Sequence, residues 1–218
     1  MKTWTEVSAW RDLQRIELIE RRRILPETTR RELGATIEGL IEQAFLPPSN
    51  EVIAFCWPYK GEVDVRFAIR SFRAQGVTAA LPAVTAKGQP LKFYSWWPGV
   101  AMAPGALNIP VPQNTPAVTP DMAIVPVVGF DLQGYRLGYG GGYFDRTLAA
   151  LARKPITVGV GFDAARLSTI YPQPHDIAMD FIVTEAGIHA MHDGRLKCID
   201  PATAAAMVKQ LAAERGLW

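Results

Sequence analysis

A single α/β domain, with a mostly parallel sheet flanked by helices, is the fold this sequence predicts. Three observations carry it. Between residues 52 and 184, apolar runs of strand length alternate with helix-period segments, which is the order of βαβ units and parallel strands. Two helical segments, at about 5–45, precede the alternation, and a hairpin plus a final helix follow it. Near the middle, a glycine-rich turn separates a strand from a helix start, and ligands in such sheets bind beyond the carboxyl ends of strands. A chain of 218 residues is large enough for one substantial core, so 1–218 is read as one domain.

The first helix is expected over residues 5–25, with Thr5 or Ser8 as cap and Trp10, Leu13, Ile16, Ile24 and Leu25 forming an approximate stripe. Pro26 breaks it, and residues 29–45 make a second helix that stops at Pro47-Pro48. Arg21-Arg22-Arg23 invites a nucleic-acid reading, but residues 1–32 carry eight Lys/Arg against six Asp/Glu. A solvated helical face is the better account. Residues 52–57 form an apolar strand. Residues 62–75 then form a helix with Val65, Ala68, Ile69 and Phe72 on one face, and 77–81 the next strand. Residues 92–97 are aromatic and strand-like, and the proline-rich stretch 99–120 is a long irregular loop of the kind that is often functional.

Residues 122–131 form the strand that feeds the glycine turn, although Pro126 cannot donate to a ladder, so pairing ends or bulges there. Residues 147–152 read as the helix after the turn, 156–162 as a strand, and 181–184 as another. His189 and His192 flank an Asp193-Gly194 hairpin turn between strands 188–192 and 195–199, and both are read as surface residues. An alanine-rich helix, 201–217, closes the chain.

Composition excludes several classes. With 49% apolar and 20% charged residues the chain is ordinary for a globular protein. A formal charge of +2 implies neither a nucleic-acid nor a membrane partner. Cys56 and Cys198 form no metal or disulfide pattern and are read as reduced thiols. No apolar run approaches the ~20 residues of a membrane span, and Met1-Lys2-Thr3-Trp4-Thr5-Glu6 lacks the apolar core of a signal peptide. A cytoplasmic protein, monomeric or weakly dimeric, is expected.

The chemistry concentrates in Tyr135-Arg136-Leu137-Gly138-Tyr139-Gly140-Gly141-Gly142-Tyr143-Phe144-Asp145-Arg146. Glycines allow positive φ and close approach of a ligand to the backbone. Successive N–H groups and a helix N-terminus make an anion-binding concavity. Arg136 and Arg146 add fork-shaped donors for phosphate, and Asp145 offers a hard oxygen for Mg²⁺. No Lys-Ser/Thr follows the glycines, and Tyr143 stands where a dinucleotide motif needs glycine. Neither standard phosphate-loop pattern applies.

This stretch closely resembles the signature of the 5-formyltetrahydrofolate cyclo-ligases, and the likeness extends over roughly residues 10–190. It includes Glu62-Val63 after the first strand, Leu81-Pro82 in the second, Asn108-Ile109-Pro110-Val111-Pro112, and the Pro172-Gln173-Pro174-His175-Asp176 turn before Thr184-Glu185. The resemblance implies ATP-dependent cyclisation of 5-formyltetrahydrofolate to 5,10-methenyltetrahydrofolate, with reduced folate and ATP as small-molecule partners and Mg²⁺ as cofactor. It implies ATP contacts from Arg15 and from Arg136, Leu137, Gly138, Tyr139, Gly140, Gly141, Gly142, Tyr143 and Phe144. Arg136, Tyr143 and Arg146 are the catalytic candidates. Folate is expected against Trp57, Glu62, Tyr139, Gly140, Gly141, Gly142 and Tyr143, and the metal on Asp145 and Asp176. Taken without the resemblance, Glu62 reads as a helix N-terminal carboxylate and Asp176 as a turn residue capping its own backbone.

In the family's first helix a Lys and an Arg reach the nucleotide phosphates. Anchoring on Arg21-Arg22-Arg23 places Arg15 at the first position and Ile19 at the second. A family Gln falls at Ala165. These two departures favour the alternative of a non-catalytic folate- or nucleotide-binding relative. An unrelated kinase or dehydrogenase is the other alternative, opposed by the missing phosphate-loop patterns.

Overall fold

The computed structural model describes residues 3–218, and Met1 and Lys2 of the N-terminal stretch read above lie outside it. Helix α1 (Trp4–Ile24) starts at Thr3, not at Thr5 or Ser8. Thr3 Oγ1 accepts the Glu6 N–H while the Glu6 carboxylate accepts the Thr3 N–H, a reciprocal capping box. Helix α2 (Glu27–Ala44) follows. Strand β1 (Val52–Ala54) is shorter than the apolar run, and helix α3 (Arg66–Ala74) begins four residues later than the sequence suggests. Glu62 therefore lies in the loop between them, and the helix-dipole account of it falls away.

Strands β2 (Thr78–Ala83) and β3 (Lys92–Trp96) come next. The stretch expected as an irregular loop holds three short strands, β4 (Met102–Pro104), β5 (Pro110–Pro112) and β6 (Ala117–Val118). The expected strand 122–131 splits at Pro126. Strand β7 (Met122–Pro126) ends there, and β8 (Gly129–Asp131) turns away to pair with β9 (Arg136–Leu137). Helix α4 (Tyr143–Ala150) starts directly on the glycine loop, earlier than periodicity alone indicates. Strands β10 (Ile156–Val160), β11 (Arg166–Leu167) and β12 (Phe181–Thr184) precede the hairpin of β13 (Gly187–His192) and β14 (Arg195–Ile199), and helix α5 (Pro201–Arg215) ends the chain.

Nine strands form the main sheet in the order β14-β13-β12-β10-β7-β1-β2-β3-β6. Its centre, β12-β10-β7-β1-β2, is parallel, and both margins are antiparallel. Side chains alternate between the faces, as period 2 requires. Ile53, Ala79, Met122, Ile124, Val158 and Phe181 meet α2, α3 and α5 in the larger core, with Phe45, at the end of α2, edge-on to Phe181. The opposite face presents Ala54, Ala80, Ala123 and Val125 to Leu148 of α4, small residues that let that helix approach closely. Burying one Phe-sized side chain contributes about 1.5–3 kcal/mol, so the parallel centre is held from both sides.

The connections fix where a ligand goes. From β1 the chain crosses through α3 to β2 on one side, and from β7 it crosses through α4 to β10 on the other. Strand order thus reverses between neighbours β1 and β7, and the loops leaving their carboxyl ends part there to form a crevice.

Candidate active site

A cleft of about 860 Å³ opens at that reversal point, within the size range of small-molecule sites. The loop after β1 supplies Trp57, Tyr59 and Glu62, and the segment beyond β7 supplies the glycine loop and the start of α4. Helix α1 lies across one end with Arg11 and Arg15, and the tip of the β4–β5 hairpin, including Leu107, adds apolar wall. Every site residue anticipated from the sequence lines this cleft except Leu137. Its side chain is 1% exposed and packs with Leu18, Val128 and Ile170, so Leu137 anchors the loop from beneath.

The glycine loop has the conformation its composition permits. Gly140 has φ +89° and Gly142, the residue before α4, φ +61°. No side chain caps α4, so its first N–H groups face the cleft as an anion site. At Gly141 a β-carbon would come within 2.7 Å of the Tyr143 ring. Arg146 donates back to the Gly141 carbonyl and stacks over Tyr143, and its buried Nε has no acceptor among the described residues. Arg136 is nearly buried, and its guanidinium donates to Asp145 Oδ1 at 2.9 Å. The same oxygen accepts the Ile177 N–H at 3.0 Å, which aims Asp145 and leaves Oδ2 without a protein partner among the described residues.

The first helix contributes a different pair from the one expected. Arg11 and Arg15, one turn apart, both face the cleft. Arg15 Nε donates to the Gly138 carbonyl at 2.8 Å and so grips the glycine loop. Ile19 does not reach the site and packs with the Leu18, Val128 and Leu137 cluster. Position 19, where anchoring on Arg21-Arg22-Arg23 places the family's arginine, thus packs beneath the loop and not in the cleft. Arg11, missed in the sequence, stands at i−4 from Arg15 and so on the same face of the helix. Ala165 also packs against the Leu18 cluster, away from the cleft.

Asp176 sits under Arg11. The guanidinium fork donates to Oδ2 at 2.5 Å and to Oδ1 at 3.3 Å, and the Gln173 N–H adds 2.7 Å to Oδ2. Burial alone would raise its pKa, but the Arg11 bonds, the Gln173 N–H and the nearby cationic charge outweigh it and hold the carboxyl below its usual range. Glu62 goes the other way. Burial raises its pKa despite bonds from Tyr139 and the Tyr59 N–H and the charge of Arg22. Trp57 packs edge-on to Trp96 and carries the Arg66 guanidinium over its ring at 4.5 Å. His189, expected at the surface, is 5% exposed and lies against Arg166, outside the cleft lining.

A glycine-bounded anion cradle, an arginine pair and aimed carboxylates at a sheet's reversal point define a phosphate-handling α/β protein with room for a second, flatter ligand. Comparison with known proteins specifies which. The sequence model of the 5-formyltetrahydrofolate cyclo-ligase family matches residues 7–185, and the chain belongs to that family. A 5-formyltetrahydrofolate cyclo-ligase of Mycolicibacterium smegmatis is 29% identical over 186 residues, covering 81% of this chain and 95% of that one. One from Escherichia coli is 28% identical over 178 residues, covering 78% and 97%. The solved 5,10-methenyltetrahydrofolate synthetase of Aquifex aeolicus superposes with TM-score 0.70 at 29% identity, covering 85% of this chain and 94% of its own.

Proposed function

We infer that this protein catalyses the ATP-dependent cyclisation of 5-formyltetrahydrofolate to 5,10-methenyltetrahydrofolate, releasing ADP and phosphate. The observation that carries this is the pairing, across one cleft, of a glycine loop that opens an uncapped helix with a loop bearing Trp57 and a buried Glu62. One side suits a polyphosphate and the other a flat heterocycle with N–H donors. The features that favoured a non-catalytic relative, Ile19 and Ala165, lie in a packing cluster and outside the cleft.

The chemistry follows from the barrier. A formamide carbon is a poor electrophile because its oxygen is a poor leaving group. Attack of the formyl oxygen on the γ-phosphorus of ATP forms an O–P bond and breaks the bond to ADP. N10 then attacks the activated carbon and gives up its proton to solvent, and phosphate departs with the C–O electron pair. Phosphoryl transfer needs positioning and charge neutralisation more than covalent help. The N–H groups of Gly140 to Tyr143 would hold phosphate oxygens, Arg146 Nε is a donor awaiting one, and Arg15 fixes the loop that presents them. Arg136 aims Asp145, and Tyr143 walls the site.

Mg²⁺ would arrive with the nucleotide, as its ATP complex. Its preference for one or two carboxylates plus phosphate oxygens fits the free Oδ2 of Asp145. Asp176, the other carboxylate expected to hold it, has both oxygens engaged by Arg11 and the Gln173 N–H, so of the two Asp145 is the one that fits. When bound, the ion neutralises charge on the transferring phosphoryl group. The test is near-ultraviolet absorbance of the purified protein with 5-formyltetrahydrofolate and Mg-ATP. Growth of the methenyl band, dependent on ATP and Mg²⁺, is the expected result. A flat trace with both ligands bound would reinstate the non-catalytic alternative.

A further inference from the structure

One side chain of the glycine loop does not face the phosphate cradle. Tyr139 extends across the cleft, and its hydroxyl donates to Glu62 Oε1 at 2.7 Å while accepting from Arg22 Nη2 at 2.8 Å. Each partner is itself fixed. Glu62 Oε2 accepts the Tyr59 N–H at 2.9 Å, and Arg22 Nε donates to the Lys60 carbonyl at 3.1 Å. The Tyr59 and Tyr139 rings meet edge to face at 5.5 Å, with the Lys60 ammonium over both. The side chains of Arg22 and Glu62 are 8% and 4% exposed, while Tyr139 itself is partly open to the cleft.

The bridge therefore joins three segments: α1 through Arg22, the loop after β1 through Glu62, and the glycine loop through Tyr139. The last two are the opposing walls of the cleft. Tyr139 is also the one residue with a side chain between Gly138 and Gly142, a stretch whose backbone otherwise has glycine's freedom.

We propose that Tyr139 is a positioning residue that couples the two ligand sites, so that filling the phosphate cradle orders Glu62 for the folate, and folate on Glu62 orders the cradle. A polyphosphate on the N–H groups of Gly140 to Tyr143 fixes the backbone that carries Tyr139, and the hydroxyl then fixes the Glu62 carboxylate. Whichever ligand binds second meets a wall already ordered, which is positive cooperativity, and linkage makes it reciprocal. Arg22 serves as the hinge post, because it holds the hydroxyl from the helix side and the Lys60 carbonyl from the loop side.

This inference rests on the cyclo-ligase reading, and calorimetry separates the two. Wild-type protein is titrated with 5-formyltetrahydrofolate, with and without a saturating non-hydrolysable β,γ-imido ATP analogue and Mg²⁺, and the converse titration is also made. Each ligand is expected to tighten the other about tenfold, within the usual range of coupling. In Tyr139→Phe, which keeps the ring and its contact with Tyr59, each ligand alone should bind more weakly, and the tightening each gives the other should fall to within about twofold, below the usual range of coupling. Arg22→Met should reduce it likewise. In turnover, the folate KM of wild type should fall as ATP rises, and that dependence should vanish in Tyr139→Phe. Two ligands binding wild type independently, or undiminished coupling in Tyr139→Phe, would overturn the inference and leave the function intact. Failure of wild type to bind either ligand would overturn both.

Discussion

Asp145 shows how one residue serves two purposes. Its Oδ1 is held by Arg136 and by the Ile177 N–H, so the carboxylate links the loop, α4 and the Asp176 turn, while Oδ2 has no hydrogen-bond partner among the described residues and is the oxygen proposed above for the cation. Replacing it with alanine leaves a nearly buried guanidinium without its carboxylate and, on the proposed role, the nucleotide's metal without a ligand. Asp145→Ala should lower turnover by at least ~100-fold, the range for removing a charge stabiliser at a phosphoryl group. Near-normal activity in the absorbance assay would exclude the metal role. Ile19 makes the opposite case. If position 19 faced the phosphates, Ile19→Arg would tighten ATP. Its side chain packs with Leu18, Val128 and Leu137, so the variant should leave nucleotide affinity unchanged and lose about 1–2 kcal/mol of stability in denaturant unfolding, the apolar contact removed. The phosphate loop was legible because glycines, arginines and an aspartate crowd a dozen positions. Arg11 and Arg22 were not, because a helix hides which of several arginines face inward until something packs against it.

At the scale of elements, helices were read more faithfully than strands. Both N-terminal helices and the last one were visible from prolines and periodicity, although the first cap was placed at Thr5 or Ser8 and lies at Thr3. Strand ends were misplaced because an apolar run continues past the last ladder bond. Val52 onward stays apolar to Trp57, yet pairing stops at Ala54 so that the chain can turn into the cleft. Pro126 was the accurate signal, since a residue without an N–H ends β7 where the functional segment begins. The late reading of α4 has a related cause: Tyr143 and Phe144 look like loop aromatics until Gly142 in its left-handed conformation turns them into a first helical turn. That loop is also where a backbone prediction belongs. Gly140→Val puts a β-branched residue at φ +89°, with its β-carbon 3.5 Å from the Arg15 guanidinium. Such strain costs about 1–3 kcal/mol, and the side chain pushes against the clamp on Gly138. The variant should fold with a lowered melting temperature and show at least tenfold weaker nucleotide binding by calorimetry. Unchanged ATP affinity would mean that the loop is only structural.

For the whole molecule, the informative region is the part beyond the family match, the β13–β14 hairpin and α5. Helix α5 covers the same sheet face as α2 and α3 through Ala204, Val208 and Ala212, and Arg215 forks onto Asp180 at 2.5 and 2.8 Å. The hairpin brings in His189, whose Nε2 lies 2.9 Å from Arg166 Nη2 and whose Nδ1 faces the Ile182 carbonyl at 3.3 Å. Arg166 can only donate, so Nε2 must accept, and the ring is neutral with its proton on Nδ1. Burial first, then the Arg166 charge, lower its pKa below the ordinary 6.5, against the opposing Ile182 carbonyl and Asp163 charge. The direction sets the sign. On acidification below about 6.5 the unfolded chain takes up this proton before the folded one does, so stability falls as pH drops and is fully present above that value. The slope from one such group cannot exceed about 1.4 kcal/mol per pH unit. Glu38, raised by burial to about 6, works the other way in the same window, because the folded state holds its proton more tightly and loses stability as pH rises. The difference between wild type and His189→Gln isolates the histidine, since glutamine keeps an acceptor for Arg166 without a titrating ring. Urea unfolding between about pH 5 and 7, the window in which a histidine titrates, should show wild type losing stability relative to His189→Gln as pH falls. Parallel stability curves for the two proteins would mean that the imidazole protonates as freely in the fold as out of it, and that the hairpin is not anchored through a neutral ring.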